Sequence, residues 1–416
     1  MTQEHVMLTD PSGRVFISYR RTRLHEIRLL IKALHDRGVP TWQDLANIGM
    51  GQGEEQLRET LADPLISGAI LWLTPDVADQ TMMRMVELPA IIERSRQDAL
   101  FFAQLVAAGG LDYRGVSKLG KSATPYDLGA FNLSEVKADP IDAKEAAAVA
   151  RITLGHRIAI MHKYLAPDQP LQIDIYSGTP SPFEPGKALI VDWTQRFESG
   201  RRPIDGAWDE FLLPALKDIL EGVRVQAPGR SIEFRGLLSL PGAVALGCMF
   251  METCGVEISW RPRQTPNQLW NIRVPRENSD FSCSLKPDTL GGHDLAVLVS
   301  VDNEVTPAFT LSTSHLNIEF RAIAQIANPN LSRNDTRFNI SSPGQAADIA
   351  HVVRQAIVSA CNEFSEIRRA HLFMAAPVGL AMMIGQLTNT LVAVQTYEFD
   401  RKRKCYTPSV LLDPTW

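Results

Sequence analysis

The sequence predicts an α/β protein of two parts, each built on a parallel sheet. Three observations carry this expectation. Between residues 12 and 107, short apolar runs alternate with helical periods, the pattern of strands joined by crossover helices. Runs such as Val15-Phe16-Ile17 and Gly68-Ala-Ile-Leu-Trp-Leu73 are apolar on both faces, as buried parallel strands require. The C-terminal half holds an imperfect duplication of strand, turn, helix and strand.

The bulk properties bound the answer. A chain of 416 residues suffices for two or three domains, and 45% hydrophobic with 21% charged residues is a globular composition. A net charge of −5 gives no global signature for duplex nucleic acid, so a phosphate site has to be local. The five cysteines are scattered without a C-x-x-C, which suggests neither a disulfide framework nor a zinc site. No signal-peptide pattern opens the sequence, and a cytoplasmic setting is expected. Residues 372–397 are free of charge and imitate a membrane span, but Pro377, Gln386, Thr388 and Asn389 interrupt them, and strand, helix, strand is the better reading.

In the first part the expected order is strand 14–18, helix 23–37, strand 39–42, loop 44–53, helix 54–62, strand 68–73, helix 78–95 and strand 99–107. Phe16-Ile-Ser-Tyr-Arg-Arg21 is a buried strand ending in a cationic turn. Ligands of open α/β sheets sit at the carboxyl ends of strands, and two guanidiniums there suit a phosphate. The second strand ends in Trp42-Gln43-Asp44, followed by a loop with Gly49, Gly51 and Gly53, and the third closes on Thr74-Pro75. Residues 112–140 read as loop and 141–163 as an alanine-rich helix that either part could own. Gly115-Val-Ser-Lys-Leu-Gly-Lys-Ser122 matches the phosphate-loop pattern, but no strand feeds it directly, and it sustains only an ATPase alternative.

This ordered set resembles a TIR domain, most closely the TIR domains that cleave NAD+. The resemblance implies a flavodoxin-like parallel sheet over residues 1–160. It implies that Glu87 is catalytic and that Phe16, Ser18, Tyr19, Arg20, Arg21, Asp44, Asn47, Gly51 and Thr74 line or gate the NAD+ site. Breaking the nicotinamide N-glycosidic bond builds positive charge on the ribose, which a carboxylate stabilises. NAD+ is then a substrate and no cofactor is required. Two departures from the family pattern are Met83, where active relatives often carry an aromatic residue, and Pro89. Proline disfavours a helical Leu88, so Glu87 is expected at a helix break, either aimed into a cleft or on a frayed surface.

In the second part, Phe234–Gly247 and Ala370–Met383 align with Pro241 under Pro377, and Gly255–Trp260 faces Leu391–Thr396 at the same spacing. Upstream, Lys187–Thr194 aligns with Asp294–Ser300. Two related halves, 165–275 and 276–416, are expected to bring two helix starts to one cleft, and helix N-termini bind phosphates. The arrangement resembles a SAVED domain, two fused CARF-like Rossmann subdomains over 165–416. That resemblance implies a cyclic oligoadenylate ligand such as cyclic tri-adenylate, with contacts at Leu240, Pro241, Gly242, Ala376, Pro377, Val378 and Lys404. Lys404 ends a cationic run, 401–404, which is either a solvated hairpin or a phosphate contact, and Trp193 or Trp260 could stack on a base. TIR followed by SAVED resembles the effectors of bacterial CBASS anti-phage defence. The implied function is ligand-driven assembly of a homo-oligomer or filament that depletes NAD+. A non-catalytic TIR scaffold is the alternative.

Overall fold

The computed structural model describes residues 8–42, 54–79, 82–123, 128, 131, 133–179, 183–198, 202–289, 291–328, 340–388 and 392–413. The chain divides into two compact units. One is Met1–Asp174 with Ser181–Asp192 and Glu221–Arg230; the other is Ile175–Pro180 with Trp193–Leu220 and Ser231–Trp416.

The first unit runs β1 (Arg14–Ser18), α1 (Leu24–Asp36), β2 (Thr41–Trp42), α2 (Glu54–Ala62) and β3 (Ile66–Leu73). A 3-10 turn (Pro75–Asp79) and a π turn (Met83–Glu87) lead into α3 (Leu88–Gln97), β4 (Phe102–Ala107), α4 (Tyr113–Ala123), β5 (Leu133–Glu135) and α5 (Ala143–Tyr164). Its sheet has the order β2-β1-β3-β4-β5 with neighbours parallel, so the winding reverses between β1 and β3. Every residue of β3 is buried, and Leu71 and Leu73 pack with Leu88, Ile91 and Leu105 in one core.

Residues 112–140, expected as loop, contain α4 and β5. Two glycines lower the helix propensity of α4, but burial of Val116 and Leu119 in the core overrides it. A side chain at Gly120 would meet Leu128 at 2.4 Å, so this glycine admits the close packing that burial requires. The segment 115–122 therefore lies inside a helix, with Asp112 accepting from Gly115 N at 2.7 Å, and is no phosphate loop. The ATPase alternative loses its basis.

The helix α5 belongs to the first unit and packs on α1. Its Arg157 is fully buried and donates to four carbonyls, Ala188 O at 2.6 Å, Gly13 O at 2.7 Å, Ser12 O at 2.7 Å and Lys187 O at 3.3 Å. Burial lowers its pKa to about 9.

The remaining elements are β6 (Leu171–Tyr176), β7 (Leu189–Asp192), β8 (Phe197–Glu198), β9 (Arg202–Pro203), a π turn (Trp208–Leu212), α6 (Leu213–Gln226), β10 (Ile232–Leu237), α7 (Leu240–Met249) and β11 (Ile258–Trp260). Then come β12 (Ser282–Pro287), β13 (Asp294–Ser300), α8 (Thr306–Leu316), β14 (Phe320–Ala327), α9 (Pro343–Glu363), β15 (Arg369–Ala375), α10 (Val378–Gln386), β16 (Ala393–Asp400) and β17 (Cys405–Leu412). A four-stranded sheet has the order β11-β10-β6-β7, and a six-stranded sheet the order β12-β14-β13-β15-β16-β17. In the latter the four central strands are parallel, while the edge strands β12 and β17 run antiparallel. The segment that imitates a membrane span is β15, α10 and β16, and no helix among the described residues is long and apolar enough to cross a membrane.

The duplication is visible where α7 crosses α10. A Cβ on Gly247 would lie 1.9 Å from Met382 O, and one on Gly385 would lie 2.1 Å from Val244 O. The two contacts exchange roles, so the backbones touch about an approximate two-fold. The upstream alignment needs correction. β10 is flanked by the end of β6, where Ser177 N donates to Leu237 O at 2.9 Å, whereas β15 is flanked by β13. The counterpart of β13 is thus β6 and not β7, because apolar composition does not specify a strand's neighbour.

Candidate functional sites

The carboxyl ends of β1 and β3 lie at the reversal of winding in the first unit, the place where open α/β sheets bind ligands. Ser18 ends β1 and is buried, and its hydroxyl donates to Glu87 Oε2 at 2.5 Å. Glu87 arrives there on the π turn. Leu88 N bonds Met83 O, five residues back, and Leu88 keeps helical angles (φ −58°, ψ −51°). The expected break at Pro89 is instead a widened turn, followed directly by α3 with proline at its start. Met83 is a core residue.

Beyond β3, buried Thr74 donates through Oγ1 to Asp76 at 2.5 Å, and Asp76 pairs with Arg20. Arg23, next along the turn, binds Glu26 at 2.9 Å and Asp139 at 2.5 Å. The structure thus joins Ser18 to Glu87, and Thr74 to Arg20 through Asp76, a residue missed in the sequence although it directly follows the Thr-Pro turn. Tyr19 is half-buried and Arg21 exposed at the same strand end. Phe16 lies in the core against Trp42, ring centroids 5.4 Å apart, so its ring serves packing. Asp44, Asn47 and Gly51 fall outside the described residues.

In the second unit a cavity of about 580 Å³ opens between the starts of α7 and α10. Leu240 and Ala376 line it, as do Asp302 and Glu304 after β13, and Glu398 and Arg401 on and just after β16. Pro241, Gly242, Pro377 and Val378 are not among its lining residues. Ser239 caps α7 by accepting from Gly242 N at 3.2 Å, which commits the N–H expected to face the ligand. Lys404 also lies outside the lining, with φ +53° in the tight turn joining β16 to β17. Trp193 is fully buried edge-on to Trp208, ring centroids 5.9 Å apart, and Trp260 is bridged to Trp270, so neither stacking expectation holds.

The floor of the cavity is aromatic. Tyr397 stacks on Phe373 at 4.2 Å and bonds His371 Nδ1 at 2.6 Å, while Tyr406 donates to Met374 O at 3.2 Å. Burial lowers the His371 pKa more than nearby Asp294 raises it, which favours the neutral imidazole. Burial pushes Asp302 up to about 6 and Glu398 up to about 7, the latter against a hydrogen bond from Ser239 that pulls it down. Asp302 Oδ1 and Glu398 Oε1 are buried and have no hydrogen-bond partner among the described residues. Asp302-Asn303-Glu304 directly follows a buried strand, and the strand-end rule applied to β13 would have found it.

The cavity lies at the starts of two paired helices, beside the parallel strands β13, β15 and β16. Residues 215–412 match the SAVED family, the SMODS-associated and fused to various effectors sensor domain, so the chain carries a SAVED domain over that stretch. The structure is similar to the Acinetobacter baumannii Cap4 SAVED/CARF-domain containing receptor solved with the cyclic trinucleotide 2'3'3'-cAAA. The TM-score is 0.51 and the identity 12%, over 83% of this chain and 88% of that one. It is similar to the same receptor with 3'3'3'-cAAA at a TM-score of 0.50 and 12% identity, with the same coverage. At this identity the likeness is one of fold. No curated protein matches the sequence.

Proposed function

We propose that the chain is a cyclic-oligonucleotide-activated NAD+ glycohydrolase of CBASS-type defence. The SAVED domain senses a cyclic oligoadenylate in the cavity between α7 and α10. The match over 215–412, together with relatives of the same fold solved with cyclic trinucleotides, supports that half. Arg401, on the cavity wall, offers a guanidinium to a ring of phosphates.

The observation that carries catalysis is Glu87, set by the π turn and fixed by Ser18 at the β1/β3 reversal. With NAD+ there, the Glu87 carboxylate stabilises the cationic ribose carbon as the glycosidic bond breaks. Nicotinamide departs neutral, and water adds its oxygen to the ribose carbon and loses a proton to solvent, giving ADP-ribose. The Ser18 hydroxyl holds the rotamer through a charge-assisted bond. Arg20 and Arg21 meet the diphosphate. Ligand-bound protomers associate head to tail, a contact that does not close and so builds filaments.

The test is NAD+ loss by the full chain with and without cyclic tri-adenylate. Undiminished loss in Glu87→Gln would sink the catalytic assignment. Ligand-induced particle growth without NAD+ loss would instead establish a non-catalytic scaffold.

A further inference from the structure

The cavity is unusual for a phosphate site. Three carboxylates, Asp302, Glu304 and Glu398, line it with one guanidinium, Arg401. Two carboxylate oxygens, Asp302 Oδ1 and Glu398 Oε1, are buried without a donor among the described residues. Glu398 also stands at the start of α7, hydrogen-bonded to the cap residue Ser239, where a helix offers itself to an anion. A carboxylate thus occupies the place that a ligand phosphate would take.

The other groups facing the pair do not neutralise it. Asp400, at the end of β16, turns to Lys402 N and Arg403 N at 2.8 and 3.1 Å. The hydroxyls of Tyr397 and Tyr406 are committed to His371 and Met374 O, and buried His371 is disfavoured as a cation. Ser239 is the donor from α7, and it serves one carboxylate only.

We propose that Glu398 and Asp302 contact the anionic ligand as protonated carboxylic acids, so that each capture event draws protons from solvent into the cavity. This rests on the sensor reading above. A neutral carboxyl removes the repulsion and turns an orphan oxygen into an O–H donor for a phosphate oxygen. The raised pKa values of both groups mean that this protonation lies within reach of neutral pH. No bond is made or broken except to the transferred solvent proton.

The experiment is calorimetric titration of the full chain with 3'3'3' and 2'3'3' cyclic tri-adenylate, at pH 6.5 to 8.5, in two buffers of different ionisation enthalpy. The expected result is a binding enthalpy that shifts with the buffer, reporting proton uptake. Affinity should fall up to tenfold per pH unit for each proton taken up. Glu398→Gln should bind more tightly than wild type at pH 8.5 with a shallower pH slope, and Asp302→Asn should reduce the uptake measured at pH 6.5. Equal enthalpies in both buffers with a pH-independent affinity would overturn the proposal and leave the sensor reading standing, as would lost binding in Glu398→Gln without uptake in wild type. No binding at any pH would overturn both. The wild-type buffer comparison decides the matter even where a variant does not fold.

Discussion

Ser18 and Glu87 belong to elements far apart in sequence, yet they form one unit of chemistry. The buried hydroxyl donates to the carboxylate at 2.5 Å, and removing it takes away one of the contacts that orient Glu87. Ser18→Ala should lower ligand-activated NAD+ turnover about tenfold, roughly 1.4 kcal/mol of barrier, with little change in KM. An unchanged kcat would show that the rotamer is fixed by other contacts. Glu398 makes a second residue-scale prediction. Its folded pKa, about 7, exceeds the ordinary carboxyl value, so the folded state holds the extra proton. That contribution is fully present below the unfolded pKa and is lost as pH rises through 7. It amounts to a few kcal/mol, on the order of 3. Denaturant unfolding of wild type and Glu398→Gln across pH 4.5 to 8 checks this, and the variant should lose less stability over that range. Parallel curves would contradict the burial account.

Among the elements, the α7–α10 crossing carries the sharpest constraint. Backbone oxygens face the missing side chains of both Gly247 and Gly385, and backbone cannot step aside as a flexible side chain can. Gly385→Ala should cost about 2–4 kcal/mol and widen the cavity mouth, read as a lower Tm and weaker ligand capture. A melt unchanged from wild type would show that the helices re-dock freely. The strands β1 and β3, the helix α2 and the strand-turn-helix repeat were legible because apolar runs, proline and glycine act locally. α4 and β5 were not, since their stability comes from burial against Leu128 and β4 and not from their own residues. The π turn was half legible: Pro89 announced a disturbed ladder, but only packing decides between a break and a widened turn. In the cavity, Ala376 came from the family resemblance and Leu240 from the duplication; Asp302 directly follows a buried strand and was open to the strand-end rule, while Glu398 needed the sheet order that sets β16 beside β15.

The whole chain joins a carboxylate at the reversal point of one parallel sheet to a cavity of about 580 Å³ in a SAVED domain. A ligand shifts an equilibrium only by its differential affinity for the two states, so the proposed activation requires that the occupied cavity favour the associating form. Light scattering of the full chain should then show particle growth on addition of cyclic tri-adenylate. The growth should survive Glu87→Gln, since that carboxylate serves chemistry and not capture. The most direct measurement is NAD+ consumption by purified full chain on adding cyclic tri-adenylate, run beside Glu87→Gln. The account predicts negligible loss without ligand, rapid release of nicotinamide with it, and none in the variant. NAD+ that stays intact while the ligand binds and the particles grow would contradict it.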